Sequence, residues 1–142
     1  MFTGEYRHGV DEKGRLAVPA RFRLELQAGA FVSKWTDLCL AIFPKDAWDD
    51  VATKVGSLHL SDADGRAFQR YLFASAFEVE LDRQGRLVIP SGLRGFAGLV
   101  GEVAVIGSRD HVELWEPSRW AEYSSAMDAP DVLAQHLQGL GI

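Results

Sequence analysis

Apolar and polar residues alternate along the 142-residue chain in short runs, and the kinds of run follow one another in the same order twice. "RHGVDEKGRLAVP" has β-type runs either side of "DEKG". This predicts a hairpin in which an Asp bonds its own turn backbone and a Gly supplies the positive φ. "ARFRLELQAG" follows as a short helix closed by Gly, with Pro19 at its first position, where a missing N–H costs nothing. "AFVSKW" and "LCLAIF" then read as strands. The second half repeats the succession with "LDRQGRLVIP", the helix "SGLRGFAG" opened by Pro90, and the strands "EVAVIG" and "HVELWE". Helical segments come after each module. "PKDAWDDVATKVGSL" sets Ala47, Val51 and Val55 at helical spacing. "SDADGRAFQRYLFASA" opens with Ser61 and Asp64 in a capping-box pattern. "PSRWAEYSSAM" and "PDVLAQHLQGLGI" predict helices towards the C-terminal end.

The recurrence extends to single residues. Asp11, Gly14, Arg15, Leu16 and Pro19 match Asp82, Gly85, Arg86, Leu87 and Pro90 at an offset of 71, and each copy has a further Arg four residues past its Pro. "IFPKDAW" matches "LWEPSRW" at an offset of 72, which one insertion explains. Two copies make a duplicated module and not a solenoid. The reading is α+β, mainly β: a βαββ module over 5–47, a helical segment over 48–75, a second module over 76–119 and C-terminal helices over 120–142. Each half alone is near the size where one core becomes marginal, so the halves are expected to pack against each other.

Composition narrows the function classes. A hydrophobic share of 47% supports a folded core. The single cysteine, Cys39, cannot build a disulfide framework or a Cys-type zinc site and reads as a small buried hydrophobe. The polar N-terminus and the lack of a long apolar run predict a soluble, cytoplasmic protein with no membrane partner. The net charge of −5 argues against a generally basic nucleic-acid coat. Distribution matters more than the total, however. Arg7, Lys13, Arg15, Arg21 and Arg23 fall in one segment with only Asp11 and Glu12, while acids gather in "PKDAWDD" and "SDADG".

Catalytic chemistry finds little footing. His8, His59, His111 and His136 are scattered without metal-ligand spacing, and no nucleophile elbow or phosphate-binding loop occurs. An enzyme, a metal site and a cofactor are therefore not expected. His111 beside Asp110 reads as a turn pair, and Trp48, Trp115 and Trp120 as core packing.

The Asp-x-x-Gly-Arg motif is more informative. Turn chemistry explains its Asp and Gly, and Asp11–Arg15 and Asp82–Arg86 pairs could serve only to hold hairpins. A hairpin does not need a guanidinium at its exit, though. With Leu16 and Leu87 inward, period-2 alternation points Arg15 and Arg86 outward. There they suit phosphate or guanine recognition, with Lys13 and Arg83 on the same loops. On the residues alone, turn structure and anion or nucleic-acid recognition remain equally open, and the two are compatible.

"VDEKGRLAVPARFR" and "LDRQGRLVIPSGLR" resemble the twin D-x-x-x-R signatures of the MraZ family, as do "LCLAIFPKDAW", "HVELWEPSRW" and "LAQHLQGLGI". The resemblance covers nearly the whole chain, in the family's order. It implies tandem SpoVT/AbrB-like DNA-binding domains forming an intramolecular swapped-hairpin β-barrel. It also implies a ring-shaped homo-oligomer that regulates transcription of the bacterial division and cell-wall gene cluster by binding promoter direct repeats in double-stranded DNA, at the nucleoid. Carried over by position, Arg15, Arg86, Lys13 and Arg83 would contact DNA, and Asp11, Gly14, Asp82 and Gly85 would shape the loops. Arg7 and Arg21 have Glu78 and Gly92 at the equivalent positions, so the first half is expected to bind more strongly. The competing reading is an oligomeric adaptor whose basic loops hold an acidic protein segment.

Overall fold

The computed structural model describes residues 1–59 and 61–142. In chain order its elements are β1 (Glu5–Val10), β2 (Arg15–Ala17), α1 (Ala20–Leu26), β3 (Ala30–Lys34), β4 (Leu40–Pro44), α2 (Lys45–Gly56), α3 (Ala63–Ala74), β5 (Phe77–Val79), β6 (Arg86–Val88), α4 (Ser91–Ala97), β7 (Gly101–Ser108), β8 (His111–Trp115), α5 (Pro117–Met127) and α6 (Pro130–Leu137). The βαββ succession is present twice, as the run pattern predicts.

All strand pairs are antiparallel, in the order β5-β3-β4-β8-β7-β1-β2-β6, and they form a nearly closed eight-stranded barrel. The halves are interleaved. β1 runs along β7 from Glu5↔Ile106 to Val10↔Gly101, and β5 runs along β3 from Val32↔Phe77 to Ala30↔Val79. Each half thus lends its first strand to the other. Exchanging the halves leaves the order around the barrel unchanged, so the chain carries a pseudo-two-fold axis. The axis passes between Leu16 and Leu87 where β2 meets β6, and between Ala41 and Glu113 where β4 meets β8. This is the swapped-hairpin barrel that the resemblance implies.

The swap also modifies the hairpin expectation. β1 and β2 pair at Val10↔Leu16 alone, and β5 and β6 lie at the two ends of the strand order. The turns form, but their arms part at once because each is claimed by the opposite half.

Alternation fixes which side chains go inside. Leu16, Leu87, Val103, Val105, Val112 and Leu114 meet Val18 and Ile89 in one core with Phe22 and Leu26 of α1 and Leu93 and Ala97 of α4. Burying one such Leu or Val contributes about 1.5–3 kcal/mol, and this core draws on both halves. α2 and α3 cover the outer face of β3 and β4 through Trp48, Val55 and Leu72 against Ala41 and Phe43. Trp48 and Trp115 are buried as expected; Trp120 is partly buried, edge-on to Trp115 at 5.2 Å. Cys39 is buried.

Three helix starts differ from the sequence reading. Pro19 and Pro90 are the caps before α1 and α4, with ψ of 135° and 143°, one residue ahead of the helix. That extended ψ continues the preceding strand, while the ring holds φ where a helix can follow. α3 is capped by Asp62, whose carboxylate accepts from the Asp64 amide at 3.0 Å, and not by Ser61. Among the described residues no helix is long and apolar enough to cross a membrane.

Candidate nucleic-acid interface

The two repeated loops are built by their aspartates. Asp11 Oδ1 accepts from the amides of Lys13 and Arg15, both at 2.9 Å, and the Gly14 amide donates to the Asp11 carbonyl at 2.9 Å. Asp82 Oδ1 accepts from Gln84 and Arg86 at 2.9 Å, and Gly85 donates to the Asp82 carbonyl at 3.0 Å. Gly14 and Gly85 take φ of 80° and 75°, the left-handed region that other residues enter at a cost.

The second oxygen of each carboxylate does a different job. Arg15 Nε donates to Asp11 Oδ2 at 2.6 Å, and Arg86 Nε donates to Asp82 Oδ2 at 2.9 Å. One carboxylate therefore closes the turn and fixes the azimuth of the Arg that leaves it. The backbone bond from Arg15 holds the Asp11 carboxyl below its usual range, against slight desolvation, and the bond from Arg86 does the same for Asp82. Both bonds use Nε. Among the described residues no terminal nitrogen of Arg15 or Arg86 has a hydrogen-bond partner, so the bidentate end of each guanidinium is open.

The β2–β6 register places these arginines together. Arg15 lies opposite Val88, and Arg86 opposite Ala17, with Leu16 and Leu87 buried between them. Arg15 and Arg86 are thus diagonal neighbours on the outward face of a two-stranded ribbon, about 7–8 Å apart. The loops sit at opposite ends of that ribbon, ~13 Å apart at strand rise. Lys13, Arg83 and Gln84 are exposed at the loop tips.

The loops are also held from across the axis, which the sequence reading missed. The Ile89 amide donates to the Gly14 carbonyl at 2.7 Å, and the Val18 amide to the Gly85 carbonyl at 3.0 Å. A Cβ on Gly14 would lie 2.6 Å from the Ile89 carbonyl oxygen and 2.9 Å from Arg94 Nε; on Gly85 it would lie 2.5 Å from Arg23 Nε. The glycines serve close approach as well as positive φ. The available signal was the Arg four residues past each Pro.

Arg7 is placed differently from the loop residues. It is on the outer face of β1, with Nη1 3.2 Å from Glu5 and Nε 3.6 Å from Glu102. Around the ribbon, Lys13, Arg15, Arg23, Arg83, Arg86 and Arg94 are accompanied by Asp11, Glu12 and Asp82, and Glu78 and Glu80 line a hollow with Val88.

Nearly the whole chain matches one family model. Residues 1–71 and 72–136 each match the model described as "MraZ protein, putative antitoxin-like". The chain belongs to the MraZ family. Curated MraZ relatives are alike over their full length. "Transcriptional regulator MraZ" of Thermomicrobium roseum is 45% identical over 142 residues, covering 99% of both chains. The protein of the same name from Moorella thermoacetica is 46% identical over 138 residues, 96% of each. That from Acetivibrio thermocellus is 42% identical over 143 residues, 100% of each. The duplication read from the letters is thus also how the MraZ model divides the chain.

Away from the ribbon, His111 does pair with Asp110, Nδ1 to Oδ1 at 2.8 Å. The structure adds Glu113, whose Oε2 is 2.9 Å from Nε2 and whose Oε1 accepts from Trp115 Nε1 at 3.0 Å. His111 is buried, stacked on Phe43 with ring centres 4.9 Å apart. Among the described residues no group of three or more His, Cys, Asp or Glu is placed to hold a metal ion.

Proposed function

We propose that this chain is a sequence-specific DNA-binding transcription regulator that reads double-stranded DNA with the β2–β6 ribbon. The observation that carries the reading is the pair Arg15 and Arg86: same face, each aimed by an Asp through Nε, each with its bidentate end open. A major groove about 12 Å wide admits a two-stranded ribbon, and a guanidinium bonds guanine O6 and N7 bidentately. Lys13 and Arg83 at the tips take phosphates, while Asp11, Gly14, Asp82 and Gly85 hold the loops. Arg7 adds positive charge from the flank, reduced by Glu5 and Glu102.

One ribbon makes few contacts, so a net-acidic protomer binds modestly. We infer a ring-shaped homo-oligomer engaging promoter direct repeats, where linked sites gain effective concentration without new contacts. The names of the relatives and the family's regulatory character support action on transcription. The resemblance points to the bacterial division and cell-wall gene cluster, at the nucleoid in the cytoplasm. The test is a promoter-fragment titration of Arg15→Ala, Arg86→Ala and the double variant, with oligomer size measured in parallel. At about 1–3 kcal/mol per bidentate contact, the double variant is expected to lose roughly 30-fold or more in affinity while its size holds. Unchanged binding would sink the proposal. Cutting the repeats to one is expected to weaken binding steeply; equal affinity would refute the multivalent part.

A further inference from the structure

We propose that Arg94 positions the first loop and Arg23 the second, so that each DNA-reading loop is set by the opposite half of the chain. This rests on the DNA-reading role given to the loops above. The two arginines occupy equivalent places, on α4 and α1, and make equivalent bonds. Arg94 Nε donates to the Ile89 carbonyl at 2.9 Å, and Arg23 Nε donates to the Val18 carbonyl at 3.0 Å. Ile89 and Val18 are the residues whose amides hold the opposite loops, through Gly14 and Gly85. One residue at each ribbon end therefore bonds the loop through its N–H and the arginine through its C=O. The Arg is pinned under a loop that belongs to the other half.

The contact is close. An added Cβ would meet Arg94 Nε and Cζ at 2.9 and 3.1 Å on Gly14, and Arg23 Nε and Cζ at 2.5 and 2.6 Å on Gly85. Each glycine lies against a guanidinium floor that an added Cβ would displace. Both arginines are half-buried, and among the described residues neither forms an ion pair. The aspartate bonds fix the loop's internal shape. The guanidinium floor fixes its height and tilt over the ribbon, and hence where Arg15 or Arg86 starts.

The arrangement predicts a crossed pattern of effects. In Arg94→Met, amide hydrogen exchange in the full-length protein without DNA is expected to quicken roughly tenfold at Lys13, Gly14 and Arg15. Gln84, Gly85, Arg86 and the barrel core are expected to stay unchanged. Arg23→Met is expected to give the mirror pattern, in the second loop only. Arg94→Lys keeps the charge and most of the stem, which protects folding, but offers no planar group against Gly14; it is expected to exchange like Arg94→Met. Promoter affinity is expected to fall roughly tenfold in each variant. Quickening in the loop of the same half, in both loops with the core, or in neither, overturns the proposal, as does full restoration by Lys. If the crossed exchange pattern appears and Arg15→Ala lowers promoter affinity but Arg94→Met does not, the link from floor to DNA reading fails. If the pattern appears and Arg15→Ala also binds DNA normally, the DNA-reading proposal itself fails.

Discussion

The loops at the two ends of the β2–β6 ribbon have nearly the same internal bonds and unlike surroundings. Each Asp accepts from two amides and one Nε, and each Gly has positive φ. Yet the first carries Lys13 where the second carries Gln84, and the glycine floors meet different atoms. The sequence reading expected the first half to bind more strongly, because Arg7 and Arg21 have no basic counterparts in the second half. In the fold Arg7 is shared with Glu5 and Glu102, while Arg23 and its counterpart Arg94 each lie under the loop of the opposite half. Charge counted along a chain is not charge counted at a site when the halves swap strands.

The largest expected difference between the loops is steric. Ala at either glycine pays for positive φ, about 1–2 kcal/mol. At Gly14 the new Cβ also meets the Ile89 backbone carbonyl at 2.6 Å, an oxygen already fixed in the ribbon. At Gly85 it meets the Nε, Cζ and Cδ of Arg23, the far end of a flexible side chain. Gly14→Ala is therefore expected to cost about 3 kcal/mol and Gly85→Ala about 1–2 kcal/mol in urea unfolding. Equal costs would show that the two floors are equally rigid.

The loops were legible because their chemistry is local. An Asp that bonds amides two and four residues on, and a Gly with positive φ, are set by their immediate neighbours, and period-2 alternation puts Arg15 and Arg86 outside. The swap was not readable from the run pattern, since nothing in "EYRHGV" says that it will pair with β7 and not stay with β2; the resemblance supplied it. The roles of Arg23 and Arg94 follow from that pairing and were equally hidden, as was Glu102 beside Arg7. The cap of α3 was misplaced for a smaller reason: Asp62 and Ser61 are adjacent and both suitable, and only the backbone direction decides.

A second comparison is at the far end of the axis, where the repeat places Cys39 and His111 at an offset of 72. Burial pushes the Cys39 thiol well above its ordinary range, so it stays neutral. His111 is buried too, which disfavours its charge, but the bonds to Glu113 and Asp110 outweigh burial and raise its pKa above the ordinary value. A raised histidine pKa contributes stability that is complete below the unfolded value of about 6.5 and is lost as pH rises through the folded value. Glu113 is lowered despite its burial by the bonds from His111 and Trp115, and Asp110 by the bond from His111, so their contributions fade as pH falls through the acid range. His111→Gln is expected to lose about 1–2 kcal/mol between pH 5 and 6 and less above pH 8. A loss that is flat with pH, followed by urea unfolding, would mean that His111 is neutral in the fold. Cys39→Ser is expected to show no dependence in this range.

The smallest expected difference is the one most easily seen in the letters, Lys13 against Gln84. Neither residue has a side-chain partner among the described residues, so exchanging them leaves the loops' internal bonds untouched. Each phosphate contact releases about one counterion, and the slope of log affinity against log salt changes by about 1. Lys13→Gln is expected to flatten the slope by that amount and Gln84→Lys to steepen it, with promoter sequence preference unchanged in both. The double exchange should restore the original slope, because the pseudo-two-fold presents both tips to equivalent phosphates. If Gln84→Lys left the slope where it was, the second loop would stand too far from the DNA backbone for its Lys to matter. The ribbon would then be tilted towards its first loop, and the likeness of the two turns would not extend to how they meet DNA.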